Sequence, residues 1–112
     1  MKKYYPNTEL NRCKHCNKDF PYPEVCVYWK CPICNETLSL KIEINNRFYS
    51  VSILYPPDLQ IGDQVTLGNN FIHRILAIEK NDCVYRIALK DYTAITMTSN
   101  DQMAVINGSW YN

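Results

Sequence analysis

Between Leu38 and Leu54 the apolar and polar residues alternate with the period of a β-strand. Leu38, Leu40, Ile42 and Ile44 fall on one face, with Ser39, Lys41 and Glu43 on the other. Successive side chains of a strand point to opposite faces, so this is the pattern of a half-buried strand. Asn45-Asn46 follows and can supply the two positive-φ positions of a type I′ turn. Closing a hairpin there sets Ile42 opposite Tyr49, Leu40 opposite Val51 and Leu38 opposite Ile53. Lys41–Ser50 and Ser39–Ser52 then occupy the outer face. A slip of one residue would bury the serines, so the pattern selects one register.

Downstream, short apolar stretches alternate with turn signals. Tyr55-Pro56-Pro57-Asp58 breaks the hairpin strand, and Gly62-Asp63 leads into a strand over 64–67. Gly68-Asn69-Asn70 is a turn before a longer strand over 71–80. A turn at Asn81-Asp82 returns the chain into 83–89, which sets Ile78 against Tyr85 and Leu76 against Ile87. Strands over 92–98 and 102–106 follow, and Asn107-Gly108 signals a last hairpin before Ser109-Trp110-Tyr111. No helical period extends over 11 residues, so no long helix is expected. The fold expected is all-β, with small antiparallel strands curling into a barrel or sandwich. Its parts are a flexible lead-in over 1–11, a cysteine-rich unit over 12–44 and a small β-barrel over 45–112, with the hairpin 37–54 shared between the last two.

Composition narrows the partners. The 112 residues are 46% hydrophobic and 21% charged, the balance of a globular chain, and the formal net charge is +1. Residues 1–36 carry +2 and the remainder −1, so neither part is a polybasic surface. Met1-Lys2-Lys3 is followed by no apolar signal-peptide stretch and no run reaches the length of a membrane span. The expected location is the cytoplasm, where thiols stay reduced and paired CxxC units more often bind metal than form disulfides.

Five of the six cysteines lie in CKHCNKDFPYPEVCVYWKCPIC, residues 13 to 34. Cys13 and Cys16 form one CxxC, Cys31 and Cys34 a second, 14 residues apart. A CxxC turn aims two sulfurs at one point, and two such turns make a closed tetrahedral four-thiolate site. Asn17 and Asn35 follow the two turns, where the backbone often turns left-handed and Asn substitutes for Gly. One structural Zn2+ is the expected occupant, with iron in the same geometry as the rival. A thioredoxin-type redox pair lacks its βαβ context. Cys26 could serve as a fifth ligand but suits a small buried position better, and Cys83 is expected to pack at the start of a strand. His15, between two ligands, is expected to face solvent.

At these residues the chain resembles the zinc-ribbon family. CKHCNKDF is similar to its first knuckle, and VCVYWKCPICNETL to an aromatic strand, Val25–Lys30, running into the second. The resemblance covers about residues 10–45. It implies a structural metal held by Cys13, Cys16, Cys31 and Cys34, in a family that occurs in transcription, translation and replication proteins and as structural staples. Separately, LQIGDQVTL, residues 59–67, resembles the opening of SH3-like small barrels.

Catalytic chemistry finds little support. His73 alternates with Phe71 and Ile75 and reads as a satisfied, partly buried ring. Asp58, Asp63, Asp82, Asp91 and Asp101 all fall in turns, where Asp is favoured for its backbone hydrogen bonds. No Gly-rich phosphate loop exists among three glycines. A redox or hydrolytic enzyme is the minor alternative, and no small-molecule substrate is expected.

Tyrosine is abundant, at nine copies with two tryptophans, and exposed aromatics suit protein interfaces. The expected function is therefore a non-catalytic, zinc-stabilised module that docks on a partner protein as an adaptor, inhibitor or immunity-type protein. Tyr22, Tyr28, Trp29 and Trp110 are the docking candidates. The alternative is a nucleic-acid-associated accessory protein of transcription, translation or phage biology. Lys14, His15, Lys18 and Lys30 would then face phosphates, with Arg47, Arg74 and Arg86 farther along.

Overall fold

The computed structural model describes residues 3–4, 10–20, 29–67 and 71–110. Its described part contains no α-helix, and no helix is long and apolar enough to cross a membrane. Ten strands form one sheet: β1 (Lys3–Tyr4), β2 (Leu10–Cys13), β3 (Lys18–Phe20), β4 (Ser39–Ile44), β5 (Arg47–Leu54), β6 (Gln64–Thr66), β7 (His73–Asn81), β8 (Val84–Leu89), β9 (Ile95–Thr98) and β10 (Gln102–Ser109). Nine run in the order β3-β2-β4-β5-β10-β6-β7-β8-β9, every neighbouring pair antiparallel, while β1 lies parallel to β10. The fold is all-β as expected, but the sheet stays open and no barrel closes, because among the described residues β9 ends the order without a second strand partner.

The β4–β5 hairpin forms as its pattern requires. Asn45 and Asn46 take φ of 50° and 65°, and Ile42 pairs with Tyr49, Leu40 with Val51 and Lys41 with Ser50. Leu38 and Ile53 meet in the same core, although the ladder ends at Leu40–Val51 and Ser39 pairs instead with Arg12 of β2. The outer face is not bare. Ser39 and Ser50 are both buried, and their cross-strand partners on that face are Arg12 and Lys41. Arg12 lies 4.7 Å from the Trp110 ring centroid, and Lys41 4.2 Å from that of Phe48.

The strand β10 organises the whole. Met103 and Val105 face one core, with Leu59, Val65, Ile75, Tyr85, Ile87, Leu89 and Met97. Ala104 faces the other, with Leu38, Leu40, Ile42, Val51 and Ile53 and the cysteine region. Because alternate residues of a strand point oppositely, β10 is a wall common to two cores, and both its faces are apolar. Asn107-Gly108, expected to turn, instead sits inside this strand. The pairing with β5 shifts register between Ile106 and Gly108, a bulge that Gly108 permits at φ 151°. The Asn107 side chain donates to Ser52 Oγ at 2.8 Å.

Three further expectations are corrected. The lead-in is not uniformly irregular, since Lys3–Tyr4 pairs with β10 and Leu10–Asn11 with β4. The β7–β8 turn is centred on Asp82-Cys83, with Asp82 at φ 57°. Ile78 therefore opposes Ile87, and Lys80 opposes Tyr85. A bulge between Ile75 and Ala77 leaves Leu76 exposed. The strand expected over 92–98 begins only at Ile95. The turn expected at Gly68–Asn70, Cys26, Tyr111 and most of the strand expected at 25–30 lie outside the described residues.

Asp63 and Asp101 hold their turns as expected. Asp63 Oδ2 accepts from the Gln60 amide at 2.9 Å, and Asp101 Oδ2 from the Thr98 amide at 2.8 Å. Gly62, at φ 96°, donates its amide to the Ile75 carbonyl, fastening the turn before β6 to β7.

Candidate metal centre

The first CxxC is the turn of a β-hairpin: Cys13 closes β2 opposite Lys18 at the start of β3. Asn17, at φ 52°, supplies the left-handed step that brings the chain round. The second CxxC is a turn closed by a bridge between Lys30 and Thr37. There the Cys31 amide donates to the Glu36 carbonyl at 2.8 Å and the Asn35 amide to the Cys31 carbonyl at 2.9 Å. Asn35 takes φ 63°. Both asparagines thus adopt the conformation their positions after the CxxC pairs call for.

These turns bring Cys13, Cys16, Cys31 and Cys34 together, all four sulfurs within 4.8 Å of one another. Cys13 and Cys34 Sγ are 3.4 Å apart, and Cys31 and Cys16 Sγ 3.9 Å. A tetrahedral ion bound at a zinc–sulfur length of about 2.3 Å would separate its sulfurs by about 3.8 Å, and the cage is compatible with such an ion. Amides also aim at sulfur: Cys16 N–H at Cys13 Sγ and Ile33 N–H at Cys31 Sγ, each at 3.3 Å. Such donors favour thiolate over thiol. Four protein sulfurs fill a tetrahedral site, which is the donor set of a structural metal position.

The thiols resist ionising together. Cys16 is pushed up to about 12, first by its hydrogen bond with Cys34 and then by desolvation. Desolvation also opposes ionisation of Cys31, but the amides of Cys34 and Ile33 outweigh it and draw the group down to about 7. At Cys34 the Glu36 amide favours the thiolate, yet desolvation and Cys13 raise it overall. A cation at the centre would offset the rise at Cys16 and Cys34 and favour their thiolate forms.

The cluster is built into a core. Cys13 and Cys31 are buried with Phe20, Trp29, Leu38 and Leu40. Trp29 is fully buried at φ 56°, a conformation uncommon for a bulky side chain. Its Nε1–H donates to Gln102 Oε1 of β10 at 3.2 Å, and Gln102 Nε2 donates to the Tyr55 hydroxyl at 3.1 Å. Trp29 is thus removed from the surface on which it was expected to dock a partner. Trp110 is half-buried, with Arg12 over its ring. Tyr22 and Tyr28 lie outside the described residues.

Of the cationic candidates, Lys14, His15, Lys18 and Lys30 are all exposed around the knuckles, and Lys18 lies 5.5 Å from the Phe20 ring centroid. Arg47, Arg74 and Arg86 are exposed on other strands. Cys83 is exposed in the β7–β8 turn rather than packed. His73 is buried, with Nδ1 3.1 Å from the Lys90 carbonyl and its ring 4.9 Å from Tyr92.

An apolar surface away from the metal centre was not anticipated. Phe71 is 65% exposed, Ile72 36% and Tyr92 47%. With His73 and Asp91 they line a hollow of about 460 Å³. The signal for it was the pair Phe71-Ile72 itself: two consecutive apolar residues point to opposite faces of an extended chain, so one core cannot bury both.

The chain matches no protein-family model, no curated protein and no solved structure.

Proposed function

We propose that this is a non-catalytic binding protein whose four cysteines hold one structural zinc ion in a zinc-ribbon arrangement, and which docks on a partner protein. The metal replaces a core that the N-terminal third is too small to build from apolar side chains. Four thiolate ligands leave no position for water or substrate, which favours a staple over a Lewis acid. Zinc is preferred to iron as the redox-silent ion suited to a closed thiolate site, and elemental analysis of the purified protein decides between them.

The observation that carries the binding reading is the exposed apolar group Phe71, Ile72 and Tyr92 around its hollow. Contiguous exposed apolar surface rimmed by polar residues marks interaction sites on soluble domains. The test is a pull-down of the metal-loaded protein from its native extract, with and without nuclease, in parallel with Phe71→Ala. A stoichiometric protein that survives nuclease and is lost from the variant supports this reading. Capture that disappears with nuclease overturns it in favour of nucleic-acid association, with Lys14 and Lys18 the next residues to replace.

A further inference from the structure

We propose that the surface centred on Ile72 is a groove for an acidic peptide segment of the partner, bearing apolar anchor side chains. This rests on the protein-binding reading above and specifies its ligand. Ile72 borders three adjoining hollows. One is the hollow of about 460 Å³ with Phe71 and Tyr92. The second, about 310 Å³, runs toward the β4–β5 hairpin between Ile44, Arg47 and Tyr49. The third, about 260 Å³, lies between Gln64, Arg74 and Lys90. Each of the first two is large enough for an aromatic or branched aliphatic side chain, and both share Phe71 as a wall.

Charge selects the occupant. Arg47, Arg74 and Lys90 line these hollows and are exposed, and among the described residues none of them forms an ion pair. The Lys90 amide is bonded to the Arg74 carbonyl at 2.9 Å, so this part of the rim sits on a fixed backbone. Asp91 is the one carboxylate residue among the described lining residues. Apolar hollows with an excess of cations at their border complement a segment that alternates apolar side chains with Asp or Glu.

Single-stranded nucleic acid fits less well. Phe71 and Tyr92 are each tilted against the buried His73 ring, at 44° and 47°, so neither forms a parallel stack with it. Three cations also make a short track for a phosphate backbone on a chain of net charge +1.

The experiment selects a random dodecapeptide display library on the metal-loaded protein and measures the enriched peptides by fluorescence anisotropy. A fluorescein-labelled oligo(dT) of 15 nucleotides is the competing probe. Enriched peptides are expected to be acidic and to carry at least one aromatic or large aliphatic residue. Phe71→Ala and the double variant Arg47→Glu/Arg74→Glu should each weaken them roughly tenfold or more. All three positions are exposed, and each variant's metal content and Tm are checked against the parent. Peptides without acidic bias, or ones bound equally by these variants, would overturn the assignment. Tighter binding of oligo(dT), lost in the double variant, would overturn it in favour of nucleic acid. If instead the partner captured from extract is protein but binds Phe71→Ala unchanged, the groove is wrong while the protein-binding reading survives.

Discussion

Trp29, two residues before a cysteine of the metal cluster, donates its indole N–H to Gln102 in the central strand β10, with both side chains fully buried. The two are 73 positions apart. One hydrogen bond therefore ties the knuckle to the strand that separates the two cores. Gln102 also serves Tyr55, so its amide satisfies both groups at once. Replacing it by Leu should remove both of these bonds and cost about 1–3 kcal/mol. Urea unfolding of Gln102→Leu against the parent measures this. A loss below about 0.5 kcal/mol would show that Trp29 is held by packing alone.

Metal loss should act on one core before the other. Cys13 and Cys31 belong to the core with β4 and β5, whereas β6–β9 enclose the second. Cys31→Ser, or chelation of the parent, is expected to abolish metal binding and release the knuckles, because ligand binding and folding are coupled. Hydrogen exchange should then show amides of β2, β3 and β4 losing protection while those of β7 and β8 keep most of theirs. Unchanged protection in β2–β4 would show that the cysteines are not a staple.

Protons compete with the ion for the cluster. Without a cation Cys16 sits at about 12 and Cys34 above its ordinary value, so both must lose a proton when metal enters. Acid favours the protonated thiols, so affinity falls as pH falls. With at least these two protons released, it should drop at least roughly a hundredfold per pH unit around neutrality. Competition with a chromophoric chelator at pH 6, 7 and 8 gives the slope, and a flat profile would exclude thiolate ligation.

Ser50 is the opposite case to Gln102. It is buried at 2% exposure, and its Oγ is the one buried side-chain oxygen or nitrogen among the described residues with no hydrogen-bond partner. The hydroxyl has lost water and gained nothing in exchange. Ser50→Ala should therefore be neutral or stabilising by up to about 1 kcal/mol, read as a raised denaturation midpoint at unchanged m. A clear loss of stability would show that the hydroxyl is satisfied by a bridging water.

Reading the chain was most successful where structure is local. Asn17, Asn35, Asn45 and Asn46 all take left-handed backbone, because each completes a turn whose geometry is set by its immediate neighbours. It failed where two turns of similar propensity compete. Asn107-Gly108 is a good hairpin dipeptide, yet β5 offers eight residues of edge to pair with, so β10 runs through as a bulge. Asn81-Asp82 and Asp82-Cys83 differ by one residue, and the placement of Ile78 opposite Ile87 favours the latter. Trp29 looked like a surface aromatic only because its partner is so distant in sequence.

Sequence by itself determined the all-β class, the hairpin register and the four-sulfur set, since alternation and CxxC spacing act over a few residues. Tertiary structure decided that the sheet stays open, that β10 divides two cores, that Trp29 is interior, and that Phe71, Ile72 and Tyr92 form a surface. Those outcomes depend on which distant strands meet, and hence on the total apolar area each pairing removes from water. No short window of the chain contains that information.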